Sequence, residues 1–222
     1  MASMQKCDNN NKSIPGRYGV DVALTRADDL DRKLVAECQN LTNVSVIDIG
    51  CGAGGQSLRL AQAGARVTGA DIDDYDDAFE ALRTTHGLTE EQLQFVVSDA
   101  RDLKKYLACK KFDYCCLQRV IHYLPYAQAL ELLLILRVYV QKGLFVSVTG
   151  VESDIGINYM DKDTSVEKRF CILTTDDAET FSITQPVCLY TPEEFISLLQ
   201  DAGWIIEECW VSAFGNSKAI CR

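Results

Sequence analysis

Asp48 and the glycines that follow it are the residues of this chain best suited to hold a ligand. In Val46-Ile47-Asp48-Ile49-Gly50-Cys51-Gly52-Ala53-Gly54-Gly55, a β-branched run stops at an acid and a glycine cluster, and a helical pattern starts at Gln56-Ser57-Leu58. That order is a buried parallel strand, a tight turn and a helix N-terminus. Glycines let a backbone come close to a ligand, and the first helix amides supply free donors. A nucleotide-like cofactor fits across such a turn. The spacing alone does not name it: Gly50, Gly52 and Gly55 match G-x-G-x-x-G, and Gly50, Gly52 and Gly54 match G-x-G-x-G. Either fingerprint is weak by itself. Asp48 tips the balance. A pyrophosphate gains nothing from a carboxylate two residues before the first glycine, whereas a cofactor with an ammonium group gains a charge-assisted hydrogen bond.

S-adenosylmethionine carries such an ammonium and no phosphate. With this motif the chain resembles the class I S-adenosylmethionine-dependent methyltransferases, small-molecule type, whose first motif reads roughly hydrophobic-hydrophobic-Asp-x-Gly-x-Gly-x-Gly. The resemblance covers about residues 40–150 and 190–222. It implies that Asp48, Gly50, Cys51, Gly52 and Gly54 surround the methionine end of the cofactor. Asp71, with Ile72 beside it, falls where an acid after the second strand accepts from ribose hydroxyls. Asp99 and the amide of Ala100 fall where the family takes adenine, although Asp99 also reads as an N-cap for a helix near Leu103. Gln118 lies in the loop that passes the transferable methyl. Arg119 is suited to a carboxylate of cofactor or substrate. His122 is the candidate general base, because an unperturbed imidazole titrates near neutrality; the competing reading is a structural ring bonded to backbone. Tyr18, next to Arg17, and Tyr159 are candidate substrate contacts, since N-terminal segments and insertions in this family fold over the site.

The elements that must position these residues alternate. Strands are expected at Val44–Ile49, Arg66–Ala70, Leu93–Val97, Phe112–Leu117 and Leu144–Val148, with helices at Val20–Cys38, Gln56–Ala63, Asp77–Thr85 and Tyr126–Tyr139. This rhythm gives an α/β fold: one Rossmann-like domain with a mainly parallel sheet and helices on both faces. Thr191-Pro192-Glu193-Glu194 starts a last helix, which ends at Gly203 and is followed by strands at Trp204–Val211 and Lys218–Cys221. That C-terminal antiparallel hairpin is a second point of resemblance. Residues 14–222 are read as one methyltransferase domain, and residues 150–190, too long for a plain connection, as a substrate-covering insertion.

Composition removes other classes. The chain has 222 residues and a net charge of −10. It shows no basic footprint for nucleic acid. Its ten cysteines are scattered without a C-x-x-C pair, and there are two histidines, so no metal-ligand spacing is present. Free cysteines in apolar runs point to a reducing, cytoplasmic setting. Residues 1–13 are polar and read as a disordered tail without a signal peptide. The longest apolar run, Leu132 to Leu136, is too short to span a bilayer. The expected reaction is direct displacement of the sulfonium methyl by a small-molecule acceptor, with the oligomeric state left open. Two rivals stand beside it: an NAD(P)-dependent oxidoreductase, from the alternative glycine spacing, and a catalytically silent cofactor-binding protein that acts through a partner.

Overall fold

Strand order and helix placement put every candidate acid near one edge of the sheet. In the computed structural model, residues 18–108 and 110–222 are described; the expected tail 1–13, Arg17 and Cys109 lie outside them. Seven strands, β1 (Ser45–Ile49), β2 (Arg66–Asp71), β3 (Leu93–Val97), β4 (Phe112–Gln118), β5 (Val140–Thr149), β6 (Ile206–Val211) and β7 (Asn216–Cys221), form one sheet in the order β3-β2-β1-β4-β5-β7-β6. The first five are parallel, and β7 runs antiparallel between β5 and β6. The order reverses between β1 and β4. A crevice therefore opens beyond the carboxyl ends of those strands, where such sheets bind ligands.

Side-chain alternation fixes the two faces. Ile47, Ile49, Cys115, Leu117, Val146 and Val148 face one core, shared with α4 (Leu103–Leu107), α5 (Tyr126–Tyr139) and α7 (Pro192–Asp201). Val46, Tyr114, Cys116, Phe145 and Ile220 face the other, under α1 (Asp29–Gln39), α2 (Gly55–Gln62) and α3 (Asp76–His86). Asp48 and Gln118 share the parity of Val46 and Cys116, so both project toward the α1 side.

The helix expected over Val20–Cys38 begins only at Asp29. Asp28 and Asp31 form a capping box, each side chain accepting from the other's backbone amide, and this fixes the start. Residues 18–28 form an irregular strap held by tertiary contacts. The fifth strand starts at Val140, directly after α5 and earlier than Leu144, because pairing with β4 already begins at Phe112.

The segment 150–190 carries its own small core of Val151, Tyr159, Leu173, Ile183, Val187 and Leu189, together with α6 (Thr175–Phe181). Its anchor is Arg169, buried at 3% exposure. The guanidinium donates to the carbonyls of Asp161, Lys162, Thr164 and Leu189 and forms a two-point pair with Glu194, at 2.7 and 2.9 Å. Glu194 is also the capping acid of α7, accepting from the Thr191 amide. One side chain thus ties the insertion to the helix that follows it. Removing one partner of a buried ion pair costs about 3–5 kcal/mol. We expect Arg169→Ala to lose stability in that range in urea unfolding, with an altered m-value if the insertion detaches first.

Candidate functional site

The glycine turn is shaped by what crowds it. Gly50 has φ +71°, and a Cβ there would lie 2.3 Å from Cγ2 of Val120. Gly55 opens α2, and a Cβ there would meet the Ala23 carbonyl oxygen at 2.2 Å. The first contact comes from the loop after β4 and the second from the strap. The strap reaches further: Asp21 accepts from the Ala53 amide at 3.0 Å and from the Leu24 amide at 3.1 Å. Anything that seats on the Ala53 amide has to displace Asp21.

Acids collect around this turn. Asp48 is 4% exposed and accepts from the Ser57 hydroxyl at 2.6 Å. Burial pushes its carboxyl up to about 6, against the lowering effect of that hydrogen bond. Asp31, on α1, is equally buried and also pushed up to about 6, first by burial and then by Asp28. Its carboxylate accepts from the Gln118 amide nitrogen. Asp71 ends β2; one oxygen accepts from the Gly52 amide at 2.9 Å and the other from the Asp73 amide at 3.1 Å. Burial raises its pKa as well. Ile72 beside it is 36% exposed, an apolar surface next to the carboxylate.

Asp99 lies one strand further along, where the Ser98 amide bonds to the Asp71 carbonyl at 2.7 Å. Its side chain caps the short turn at Ala100–Asp102 and pairs with Arg101. That pairing holds its carboxyl below the usual range. The N-cap reading of Asp99 therefore describes this geometry, and a ligand at Asp99 shares the carboxylate with Arg101. Ala100 packs half-buried against the core.

The loop after β4 carries Arg119 in a left-handed conformation, φ +56°, with its amide on the Ser147 carbonyl at 2.9 Å. Its Nε is buried without a hydrogen-bond partner. His122 is 2% exposed, and its Nδ1 is buried without a partner among the described residues. Burial, then the charge of Arg119, push its pKa down to about 3. The near-neutral imidazole expected from sequence is therefore absent: the ring stays uncharged throughout the physiological range. Nor does the ring bond to the backbone of any described residue.

Tyr18 stands at the junction of strap, loop and insertion. Its ring meets Tyr123 edge-on at 5.0 Å, its carbonyl accepts from the Tyr123 hydroxyl at 2.7 Å, and it bridges to Ile183. Tyr159 is placed elsewhere. It is buried in the insertion's core with its hydroxyl on the Val187 carbonyl at 2.5 Å, and it presents no free face to a substrate. The structure thus gathers Asp48, Gly50, Cys51, Gly52, Gly54, Asp71 and Gln118, adds Asp99 and Ala100 along the same edge, and leaves Tyr159 out. It also brings in two acids that sequence reasoning missed. Asp31 had a usable signal, the Asp28-x-x-Asp31 capping spacing; Asp21 had none, since it sits among residues with a helical apolar pattern.

Among the described residues no group of three or more His, Cys, Asp or Glu side chains is placed to hold a metal, and no helix is long and apolar enough to cross a membrane. A surface hollow between α1 and α2, lined in part by Arg32, Gln39, Arg59 and Gln62, contains none of the site residues.

Residues 47–147 match the family model described as a methyltransferase domain. No curated protein sequence matches the chain. Among solved structures, it is similar to magnesium protoporphyrin IX methyltransferase from Synechocystis PCC 6803 with bound SAM, at 22% identity and a TM-score of 0.59 over 87% of this chain and 75% of that one. It is similar to 1,6-didemethyltoxoflavin-N1-methyltransferase from Burkholderia thailandensis, solved with 1,6-didemethyltoxoflavin and S-adenosylhomocysteine, at 16% identity and a TM-score of 0.62 over 88% and 78%. A SAM-dependent methyltransferase from Methanosarcina mazei gives 20% identity and a TM-score of 0.63 over 84% and 95%. These likenesses establish the fold.

The raised acids make ligand binding pH-dependent. A carboxyl raised above its unfolded value stabilises the fold fully below that unfolded value, and the contribution is lost as pH rises through about 6. A bound ammonium reverses the preference, because it favours the ionised acids. The gain in melting temperature from saturating S-adenosylhomocysteine is expected to be larger at about pH 7.5 than at about pH 5, as read by thermal scans with and without ligand. An equal gain at both would separate Asp31 and Asp48 from the ligand.

Proposed function

We propose that this chain, which carries a class I S-adenosylmethionine-dependent methyltransferase domain, transfers the sulfonium methyl to a small-molecule acceptor by direct displacement. The observation that carries the reading is the run of acids Asp48, Asp71 and Asp99 at the carboxyl ends of adjacent parallel strands, next to a glycine turn. In this reading Asp48 and the turn from Gly50 to Gly54 receive the methionine end. Asp71 exchanges its contact with the Gly52 amide for the ribose hydroxyls, Ile72 covers the adenine, and Asp99 and the Ala100 amide take its polar edge. Gln118 faces the cationic end.

The chemistry asks little of the protein beyond alignment. An acceptor lone pair attacks the methyl carbon, the carbon–sulfur bond breaks, and the electron pair stays on sulfur as S-adenosylhomocysteine. A positive charge disappears from the sulfur, and buried acids suit the charged ground state. His122 remains the candidate to meet the acceptor's proton. With a pKa near 3 it is a weak base, and its buried, unpartnered Nδ1 serves better as a hydrogen-bond acceptor that orients a hydroxyl or amine. Arg119, from the loop after β4, and Tyr18, from the strap, line the approach. The nearest rival is the silent cofactor binder, favoured by that same weak base. The oxidoreductase loses ground to the antiparallel β7 and the methyltransferase-domain match.

The net charge of −10 supports a small-molecule acceptor over a nucleic acid. The free cysteines among the described residues support a cytoplasmic setting.

Calorimetric titration with S-adenosylmethionine, S-adenosylhomocysteine and NADH tests the cofactor. Micromolar binding of the first two, none of NADH, and a loss of about 2 kcal/mol in Asp71→Ala is the expected pattern. NADH binding in their place would refute it. For the chemistry, His122→Ala should lower kcat about tenfold where the ring orients the acceptor by a hydrogen bond, with S-adenosylhomocysteine affinity unchanged; turnover equal to wild type assigns the ring to packing.

A further inference from the structure

Asp31 lies on α1, outside the glycine motif, and nothing in the motif requires it. We propose that Asp31 is a positioning residue for the cofactor's ammonium, holding the amide nitrogen of Gln118 so that the Gln118 carbonyl oxygen faces the cleft beside Asp48. This role rests on the cofactor reading above and adds to it a residue that selects for the amino group.

Asp48 pairs with Cys116 and Ile49 with Leu117 across β1 and β4. Gln118 is the next residue, at the level where the chain turns into Gly50, and it shares the face of Asp48 and Cys116. Its side chain therefore ends beside the cleft that Asp48 charges. An amide has two ends of nearly equal size, one donating and one accepting. For an ammonium, which only donates, the two orientations are opposite in effect. Something must choose between them.

Asp31 makes that choice. An ionised carboxylate only accepts, so it can hold the Gln118 nitrogen and not the oxygen. Its hydrogen bond to Gln118 links residues 87 apart in sequence. The Gln118 oxygen makes no hydrogen bond with any described residue and is left for the cleft. Asp31 in turn cannot swing away. Its second oxygen accepts from the Asp28 amide at 2.9 Å, and its backbone carbonyl accepts from the Gln56 side chain at 3.2 Å. Asp28 is itself held by Lys218 of β7 at 2.6 Å, a lysine 3% exposed. The charged groups facing Asp31 are Asp28 on its own helix, Arg59 on α2 and Asp48 on β1. Among the described residues only Arg59 opposes its charge, and the two form no ion pair, so the acid remains available to amide donors.

The test compares S-adenosylhomocysteine with its analogue lacking the α-amino group, by calorimetry on the full chain. Wild type should prefer the amino compound at least thirtyfold, or about 2 kcal/mol. Asp31→Asn, which keeps the shape but lets the Gln118 amide turn over, should cut that preference about tenfold while binding of the deaminated analogue stays the same. Gln118→Leu should cut it by the same factor with the α1 cap intact, and the double variant should lose no more than either single one. A folded Asp31→Asn protein with the full preference overturns the role, and so do losses that multiply in the double variant. If Asp31→Asn does not fold, an undiminished preference in Gln118→Leu is enough to overturn it. Wild type that binds neither compound would instead overturn the cofactor reading.

Discussion

Burial of like charge at the carboxyl edge of the sheet is the constraint around which this structure is arranged. Asp31, Asp48 and Asp71 are each taken largely out of water, and none forms an ion pair with a described residue. An uncompensated buried carboxylate is costly, and the protein's answer is dipoles. Ser57 donates to Asp48 from the first turn of α2, the Gly52 and Asp73 amides donate to Asp71, and the Gln118 amide donates to Asp31. The positive end of α2 points at the same place. These groups offset part of the penalty, and two of the acids still sit near 6. On the proposed reading the balance is left for a cation, which an ammonium beside a sulfonium supplies. A site built to hold an anionic pyrophosphate would carry the opposite excess. On that reading this is the physical reason Asp48 points to the cofactor where the glycine spacing does not.

The local parts of this arrangement were legible in the sequence. The β1 strand and its turn, α5 over Tyr126–Tyr139 and α7 with its Thr191 cap all stand where periodicity and capping residues put them, because contacts within a few residues decide such elements. The hairpin of β6 and β7 follows from Gly215-Asn216 for the same reason. What was not legible depends on distant partners. Val22, Leu24, Leu30, Leu34 and Val35 read together as one helix, yet Val22 and Leu24 belong to a segment that lies across the glycine turn, where bonds to Ala53 and packing on Gly55 replace a helical ladder. Asp31 meets Gln118 only after the sheet forms. His122 looks like a base in a sequence, but its environment comes from packing: burial and Arg119 together remove its charge.

The strap also joins two parts of the site that the chain keeps far apart. Asp21 sits on the glycine turn, while three residues earlier Tyr18 sits on Tyr123 and bridges to Ile183 of the insertion. The Gly19 amide adds a bond to the Ser182 carbonyl at 2.8 Å. Each such bond is worth only about 1 kcal/mol net. A ligand that takes the Ala53 amide from Asp21 therefore loosens a connection that runs directly to residues 150–190.

Lys218 shows how far the site's geometry extends. It lies on β7, inserted between β5 and the edge strand, and its ammonium is buried against Asp28 and Asp29; Trp210 of β6 also donates to Asp29, at 2.8 Å. An apolar contact between α1 and the hairpin would bury as much surface and would hold the helix in place, since replacing buried ion pairs with packed apolar groups is often neutral or stabilising. It would leave the helix free to slide and rotate by fractions of a turn. Two acids at the N-terminus, held by directional bonds to a fixed lysine and indole, remove that freedom. The rotation of α1 determines where the Asp31 carboxylate points, and through Gln118 it determines which end of an amide the cleft receives. A charged contact at the far edge of the sheet is thereby part of how the cation site is made.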